Sequence, residues 1–152
     1  MTDADILTLC AFEEANLECD DGLAAIARVV LNRIRRRFFS DGTIAGTVFA
    51  HAQFSWTEYA MIHGRYTRVA ATPQAVQDRA GRLMAQDKAF TGRWARAAGI
   101  VAKVMAGTYA GAAYARLTDD AVLYLNPSIS KTPWAVPEKH VCDIGHHSFF
   151  RA

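Results

Sequence analysis

One segment of the chain has a helical pattern strong enough to fix the class of fold. Apolar residues recur there at the spacing of a single helix face, at positions i, i+3, i+4, i+7 and i+11: Leu23, Ile26, Ala27, Val30 and Ile34. The arginines of the segment fall largely on other faces, as expected of a helix that packs one side against a core. The chain is therefore predicted to contain a long amphipathic helix that begins at Asp20 or Asp21.

Four further helices are predicted on either side of this one, over residues 3–17, 43–49, 72–84 and about 88–106. Thr2 or Asp3 caps the first of them. In the third, Thr72 is a cap and Pro73 takes the first helical position, where its missing N–H costs nothing. The last helix is predicted to end at Gly107. Residues 51–57, between the short helix and the third, are predicted to form a loop.

The last third of the chain changes character. Residues 121–125 read as a strand, and Asn126-Pro127 breaks it. Residues 139–144 and 148–151 are predicted to pair as antiparallel strands about Gly145. The predicted fold class is therefore α+β, a mostly helical domain with a small antiparallel sheet near the C-terminus.

Composition limits the class of protein further. A chain of 152 residues with 51% hydrophobic content predicts a single domain over residues 1–152. Its net charge of +2 gives no argument for a nucleic-acid partner. Because the N-terminus has no signal-peptide pattern and no apolar run is long enough to cross a bilayer, we expect a protein made in the cytoplasm without a signal peptide and without membrane insertion. We also expect a monomer. Three widely spaced cysteines favour reduced thiols over a disulfide framework.

Two glutamates near the end of the first helix are candidates for acid catalysis. Glu13 and Glu14 precede every lysine and arginine of the chain, the first of which is Arg28. On a helical wheel both fall within an apolar arc, formed by Ile6, Leu7, Leu9 and Cys10. Burial against such neighbours raises the pKa of a carboxyl, which keeps it protonated and able to donate a proton near neutral pH. The alternative is that both glutamates are solvated or paired with a distant arginine.

A polar and aromatic run lies in the predicted loop, formed by Gln53-Phe54-Ser55-Trp56-Thr57. Aromatic faces and hydrogen-bonding side chains together are typical of a sugar-binding cleft. A structural loop with buried aromatic residues gives the same composition.

Possible metal ligands cluster near the C-terminus, namely His140, Cys142, His146 and His147. Sulfur and imidazole suit zinc, although the spacing matches no known zinc pattern. Alternation along a strand places His140 and Cys142 on one face. A metal-dependent wall amidase or peptidase built on this cluster is one alternative function. The other use of such a histidine is to hydrogen-bond a sugar or to orient a carboxyl.

A run of basic residues ends the long helix, at Arg33, Arg35, Arg36 and Arg37. Such a cluster at a helix C-terminus complements the helix dipole and stays solvated. The run also fits a nucleic-acid or virion-assembly protein, or the capture of an anionic polymer such as cell wall.

Three separated stretches share their order and spacing with the motifs of a known family. The first consists of Glu13-Glu14-Ala15-Asn16-Leu17-Glu18, Gly22 and Val29-Val30-Leu31-Asn32-Arg33. The second is Gln53-Phe54-Ser55-Trp56. The third consists of Leu125-Asn126-Pro127, Trp134 and Gly145-His146-His147-Ser148-Phe149-Phe150. Together they resemble the cell wall hydrolase family of the SleB/CwlJ type, named for spore cortex-lytic enzymes and also found among phage endolysins.

The resemblance implies a lysozyme-like fold, no metal or other cofactor, and cleavage of peptidoglycan between N-acetylmuramic acid and N-acetylglucosamine. The family's catalytic glutamate falls on Glu14, and the remaining candidate residues are expected to bind substrate: Glu18, Gln53, Phe54, Ser55, Trp56, Asn126 and His147. A chain without a signal peptide resembles a phage endolysin that is released through a separate holin-type pore.

The chain departs from the family pattern at three positions, with Asn16 in place of a basic residue, Leu17 in place of glycine and His146 in place of asparagine. The loss of glycine at position 17 is expected to let the first helix run on and to alter the wall of the cleft.

The resemblance leaves the reaction open between lytic cleavage and hydrolysis. Lytic cleavage uses the sugar's own 6-hydroxyl and needs one carboxyl. Hydrolysis usually needs two, about 5 to 5.5 Å apart when the configuration is retained and about 6.5 to 9.5 Å apart when it is inverted. On a continuous helix Glu18, one turn after Glu14, reaches only part of that range.

Overall fold

Two long helices at the start of the chain hold the centre of the core. The computed structural model describes residues 1–68 and 88–152, together with residues 72, 74, 75, 77, 78, 81 and 85. Helix α1 spans Asp3–Ala15 and helix α2 spans Asp20–Arg36. Thr2 caps α1 in a capping box, in which its hydroxyl accepts from the backbone N–H of Asp5 and the Asp5 carboxylate accepts from the N–H of Thr2. Both predicted helices are confirmed.

The first helix ends two residues earlier than predicted. The Asn16 side chain and its backbone N–H both donate to the carbonyl of Phe12, and the N–H of Glu18 donates to Ala15. These bonds close the last turn and direct the chain away from the helix axis. The expectation that the helix runs on through Leu17 is therefore wrong, and Leu17 is 85% exposed.

The third long helix, α5, packs against both of the first two. It spans Lys88–Met105 and ends before Gly107, whose φ of 71° is the left-handed conformation that glycine adopts at helix ends. Trp94 of this helix lies against Phe12 of α1, with ring centroids 5.9 Å apart. The predicted helix and its predicted stop are confirmed.

Short elements connect α2 to this helix, and the prediction for them is only partly right. Helix α3 spans Ile44–Val48, within the predicted segment, and α4 spans Ser55–Glu58, where a loop was expected. A two-stranded hairpin that the sequence did not predict follows at once, with β1 at Tyr59–Ile62 and β2 at Arg65–Arg68. The helix predicted over residues 72–84 lies largely outside the described residues.

The sheet near the C-terminus has three antiparallel strands, with β5 between the other two. Strand β3 spans Ala121–Leu125, β4 spans His140–Ile144 and β5 spans His147–Arg151. Gly145, with a φ of 59°, makes the turn between β4 and β5 as predicted. Short 3-10 turns precede β3 at Tyr114–Arg116 and β4 at Pro137–Lys139.

An irregularity in β4 overturns one prediction about the histidines. The pairing register between β4 and β5 shifts between His140 and Cys142, which breaks the alternation of faces. His140 is exposed and Cys142 is buried, so the two side chains do not share a face as expected.

Side chains at the C-terminal end of α2 hydrogen-bond to the backbone at the start of β3 and so join the helices to the sheet. The buried Asn32 side chain donates to the carbonyls of Thr118 and Ala121, and Nε of Arg33 donates to the carbonyl of Val122 at 2.7 Å. Arg33 is only 4% exposed, so the prediction of a solvated arginine cluster is wrong for this residue.

The other three arginines of the cluster are exposed and bind nearby groups. Arg35 pairs with the Asp119 carboxylate, Arg36 donates to the Asp119 carbonyl, and Arg37 donates to the carbonyl of Asp41. No helix within the described residues has the length and apolar character that crossing a membrane requires.

Candidate active site

A groove runs between the end of α1, the α4 segment and the sheet. It consists of two adjoining cavities of about 830 and 550 Å³. Five residues line both of them and so mark the place where they meet: Glu14, Ser55, Asn126, Ile129 and His147. The groove is open along its length, as a site for a polymer has to be.

The two glutamates that the helical wheel could not separate have different surroundings. Glu13 is exposed, whereas Glu14 is partly buried in the middle of the groove. Burial raises the pKa of the Glu14 carboxyl above its usual value, and this effect outweighs the hydrogen bond from Tyr124 and the positive charge of Arg33, which both lower it. Glu14 therefore has the environment of a carboxylic acid that holds its proton to a higher pH than an exposed glutamate does.

Tyr124 orients this carboxyl. Its hydroxyl donates to Oε2 of Glu14 at 2.6 Å, and burial raises the pKa of Tyr124 well above its usual value, which keeps that donor protonated. Since Oε2 accepts from the tyrosine, Oε1 is the oxygen left to carry the transferable proton. Sequence reasoning missed Tyr124, although a tyrosine just before the Asn126-Pro127 break was a usable signal.

Arg33 lies near enough for its charge to lower the pKa of the Glu14 carboxyl, and it was also missed as a site residue. Its Nη1 donates to the side-chain oxygen of Gln53 at 3.4 Å, and its guanidinium lies over the ring of Phe54, 5.1 Å from the centroid. Gln53 lines the larger cavity as predicted, whereas Phe54 is 1% exposed and lines neither. The structure therefore places Phe54 beneath Arg33 as a core residue, out of reach of the substrate that it was predicted to contact.

The Glu18 carboxylate binds the turn between β4 and β5. Its carboxylate accepts from the backbone N–H of His146 at 3.1 Å and contacts Nδ1 of the same residue at 2.9 Å. A Cβ added at Gly145 would lie 1.9 Å from Oε2 of Glu18, so the turn and the carboxylate fit only because position 145 has no side chain. Glu18 lines the smaller cavity, but it lies beyond the end of α1 and not one helical turn after Glu14.

His147 lies between the surroundings of Glu14 and Glu18. Its ring meets that of Tyr124 edge to face, with centroids 5.4 Å apart, and its Nδ1 lies 3.8 Å from Oε1 of Glu18. Burial lowers the pKa of His147 and so favours its neutral form. Within the described residues Nδ1 has no hydrogen-bond partner, which leaves a buried polar atom at the wall of the groove.

The remaining predicted substrate-binding residues also line the groove. Ser55 is exposed and Trp56 is buried, with its ring against that of Phe49. Oδ1 of Asn126 accepts from both the N–H and the hydroxyl of Ser128, so the turn after β3 holds this side chain in place.

Apolar side chains form the rest of the wall. The larger cavity is lined by a group that the sequence did not identify as a surface: Phe38, Phe39, Ile129 and Trp134. Phe39 and Ile129 are 59% and 82% exposed. Exposed apolar faces at a groove provide stacking surfaces for sugar rings. Leu17, at the position where the family pattern has glycine, lines the smaller cavity.

The histidine and cysteine cluster does not form a metal centre in the described part of the chain, where no three such ligands come together. His140 pairs with Asp143, and His146 pairs with Glu18. Cys142 is buried, and burial raises the pKa of its thiol.

Comparison with known proteins identifies the family. The catalytic domain of the germination-specific lytic transglycosylase SleB from Bacillus anthracis has a similar fold, with a TM-score of 0.60 at 20% identity over 98% of this chain and 93% of that one. This likeness confirms the predicted fold class. No curated protein sequence matches the chain. Residues 17–150 match the Cell Wall Hydrolase family, a segment that begins just after Glu14. Since that match spans most of the sequence, the chain belongs to the cell wall hydrolase family.

Proposed function

We propose that this cell wall hydrolase cleaves the glycan strand of peptidoglycan between N-acetylmuramic acid and N-acetylglucosamine, with Glu14 as the acid. The observation that carries the proposal is the position of Glu14, a partly buried carboxyl at the point where two open cavities meet. Burial raises its pKa, and Tyr124 holds one of its oxygens. A groove of this shape accommodates sugars on both sides of the carboxyl.

The chemistry begins with the protonated Glu14. Its Oε1 proton passes to the glycosidic oxygen as the bond from that oxygen to C1 of the muramyl sugar breaks. The resulting Glu14 carboxylate accepts a hydrogen bond from Tyr124 and lies near the positive charge of Arg33, both of which favour the charged form. That carboxylate then takes a proton from the nucleophile that attacks C1.

Two observations favour the muramyl 6-hydroxyl as this nucleophile, which is the lytic reaction. Glu18, the expected second carboxylate, is occupied with the turn at His146. The similar solved structure is named as a lytic transglycosylase. Intramolecular attack needs only one carboxyl, because the same group serves first as acid and then as base. Hydrolysis by a muramidase is the second candidate, with Glu18 or Glu13 at the acidic wall of the smaller cavity.

The other predicted site residues have supporting roles in this proposal. Ser55, Trp56 and Asn126 contact the sugars at the centre of the groove. Nδ1 of His147, which has no partner among the described residues, bonds a sugar hydroxyl or acetamide. Gln53 acts through Arg33.

Mass spectrometry of digested peptidoglycan tests the proposal. We expect 1,6-anhydro muramyl ends from the wild-type chain and no cleavage by Glu14→Gln, which keeps the volume of the side chain but has no acidic proton. A reducing muramyl end would identify the muramidase reaction instead. Freed peptides with intact glycan would contradict glycan cleavage altogether and favour the amidase.

We also propose, from the family resemblance, that the chain acts as an endolysin. Cytoplasmic expression is then expected to lyse bacteria only when a holin-type pore is expressed with it. Lysis without any pore would contradict this part of the proposal.

A further inference from the structure

The two ends of the groove carry opposite charge. Among the residues that the structure describes, and apart from Glu14, the charged side chains that line the larger cavity are Arg33 and Lys139, and we call this the basic end. Those that line the smaller cavity are Glu13 and Glu18, and we call this the acidic end. Glu14 lies at the boundary between them. A polymer bound across this boundary therefore meets positive charge on one side of the reacting bond and negative charge on the other.

Arg33 is the strongest feature of the basic end. Its guanidinium is buried, and its contacts are the carbonyl of Val122, the amide oxygen of Gln53 and the ring of Phe54. Within the described residues no carboxylate lies at ion-pair distance from it. A buried cation without a counter-charge is costly, so such groups are usually paired.

Protonation of Glu14, which the acid step requires, leaves the positive charge of Arg33 with even less compensation. Burial disfavours the charged form of Arg33, and the carboxylate of Glu14 is among the groups that favour it, but Glu14 has to be protonated before it can act as an acid. In that state Glu14 supplies no counter-charge. The basic end is therefore best neutralised by a group that arrives with the substrate.

We propose that the basic end is the subsite for a muramyl sugar that has lost its stem peptide, and that Arg33 and Lys139 bind the free carboxylate on its 3-O-lactyl branch. This inference rests on the proposed function, since it assumes that a glycan strand fills the groove. Of the two sugars in the strand, only the muramyl residue has a carboxyl group, which is an amide where a stem peptide is attached and a free carboxylate where the peptide has been removed. N-acetylglucosamine is neutral and occupies the acidic end. The strand thus lies in one direction, with the scissile oxygen at Glu14 and the muramyl ring against Trp134 and Phe39.

A matched pair of substrates tests the subsite without changing the protein. Peptide-free glycan strands, prepared with an amidase, carry free lactyl carboxylates, and the same strands treated to convert those groups to methylamides are neutral. For the wild-type chain we expect KM to be lower on the charged strands by on the order of tenfold, the scale of a hydrogen bond to a charged group, with little change in kcat.

Variants then assign the preference to the basic end. Lys139→Gln should lose part of the preference, and Lys103→Gln, the same change at an exposed position of α5 outside both cavities, should keep all of it. Arg33→Gln should abolish the preference, and Arg33→Lys, which keeps the charge, should retain part of it. Circular dichroism checks the fold of both Arg33 variants, because Arg33 also binds the carbonyl of Val122.

The outcomes separate this inference from the proposed function. Equal KM values on the two strands, with Glu14→Gln inactive on both, would overturn the subsite and leave glycan cleavage standing. Cleavage of whole sacculi but of neither peptide-free strand would also overturn it, because recognition would then depend on the stem peptide. Full activity of Glu14→Gln on both strands would instead overturn the proposed function.

Discussion

The last turn of α1 and the loop that follows it each carry a glutamate at the same groove, and the two are held in opposite ways. Glu14 is partly buried, and among the residues that the structure describes its one side-chain donor is the Tyr124 hydroxyl. Glu18 receives the N–H and contacts the imidazole of His146, and it fits closely against Gly145. The comparison teaches that a buried carboxyl with few hydrogen-bond donors is suited to proton transfer. A carboxylate that contacts several donors instead holds the surrounding backbone in place.

The largest expected effect is the loss of activity on replacing Glu14. Glu14→Gln should reduce kcat by about 10²- to 10⁴-fold or more, the usual contribution of a general acid, because an amide cannot donate the proton. Glu13→Gln is the matched control and should cost far less, since that side chain is exposed. Turbidity loss of purified cell walls measures both. If Glu13 is the essential residue, the assignment of the acid is wrong.

Changing the donor to Glu14 should alter the pH profile. The Tyr124 hydrogen bond lowers the pKa of Glu14, so Tyr124→Phe should raise that pKa further. Activity that depends on the protonated acid falls as pH rises through its pKa, so the alkaline limb of kcat/KM should move to higher pH. We also expect a loss of about tenfold at the optimum, the scale of one hydrogen bond to a charged group. A limb that moves to lower pH would contradict this account.

Changes at the turn should act on stability first. Gly145 has a φ of 59°, and an added Cβ would lie 1.9 Å from Oε2 of Glu18. Gly145→Ala should therefore lower the free energy of unfolding by about 2 kcal/mol or more, as measured by urea denaturation. Removing the opposing carboxylate as well, in the double variant with Glu18→Ala, should cost less than the sum of the two single changes. Strict additivity would show that the contact with Glu18 is unimportant.

The smallest expected effect is on folding stability, which the partly buried Glu14 carboxyl lowers at high pH. Its pKa is raised in the folded state, so the fold holds this proton more tightly than the unfolded chain, and stability falls as pH rises through the folded pKa. Glu14→Gln should therefore be slightly more stable than wild type near pH 8 and should lose this advantage below about pH 4, under the usual carboxyl pKa. Thermal unfolding across pH measures the difference. A Glu14→Gln variant that is less stable than wild type at pH 8 would contradict the claim that burial of the ionised Glu14 carboxyl destabilises the fold.

The same contrast explains what could be predicted from the sequence. Local patterns were enough for α2, whose apolar spacing is regular, and for the Gly145 turn between two short strands. They were not enough for the hairpin of β1 and β2, since its turn at His63 and Gly64 has no strong hairpin signal.

The site was harder to predict because its groups come from distant parts of the chain. The helical wheel placed Glu13 and Glu14 in one arc, and the burial of Glu14 and its contact with Tyr124, which is 110 positions away, distinguish them. Arg33 looked like part of a solvated cluster because burial against β3 is not visible in a local charge pattern. The family resemblance selected Glu14, and its catalytic role stays a prediction.

The most direct test of the central claim is digestion of peptidoglycan in water enriched in oxygen-18, with mass spectrometry of the muramyl ends. If Glu14 alone acts as acid and then as base, the 6-hydroxyl closes onto C1, and the new ends should contain no label and no added water. The Glu14→Gln digest should contain no new ends. Muramyl ends that carry one oxygen-18 atom would contradict the account, since they would require an activated water and a second group to activate it.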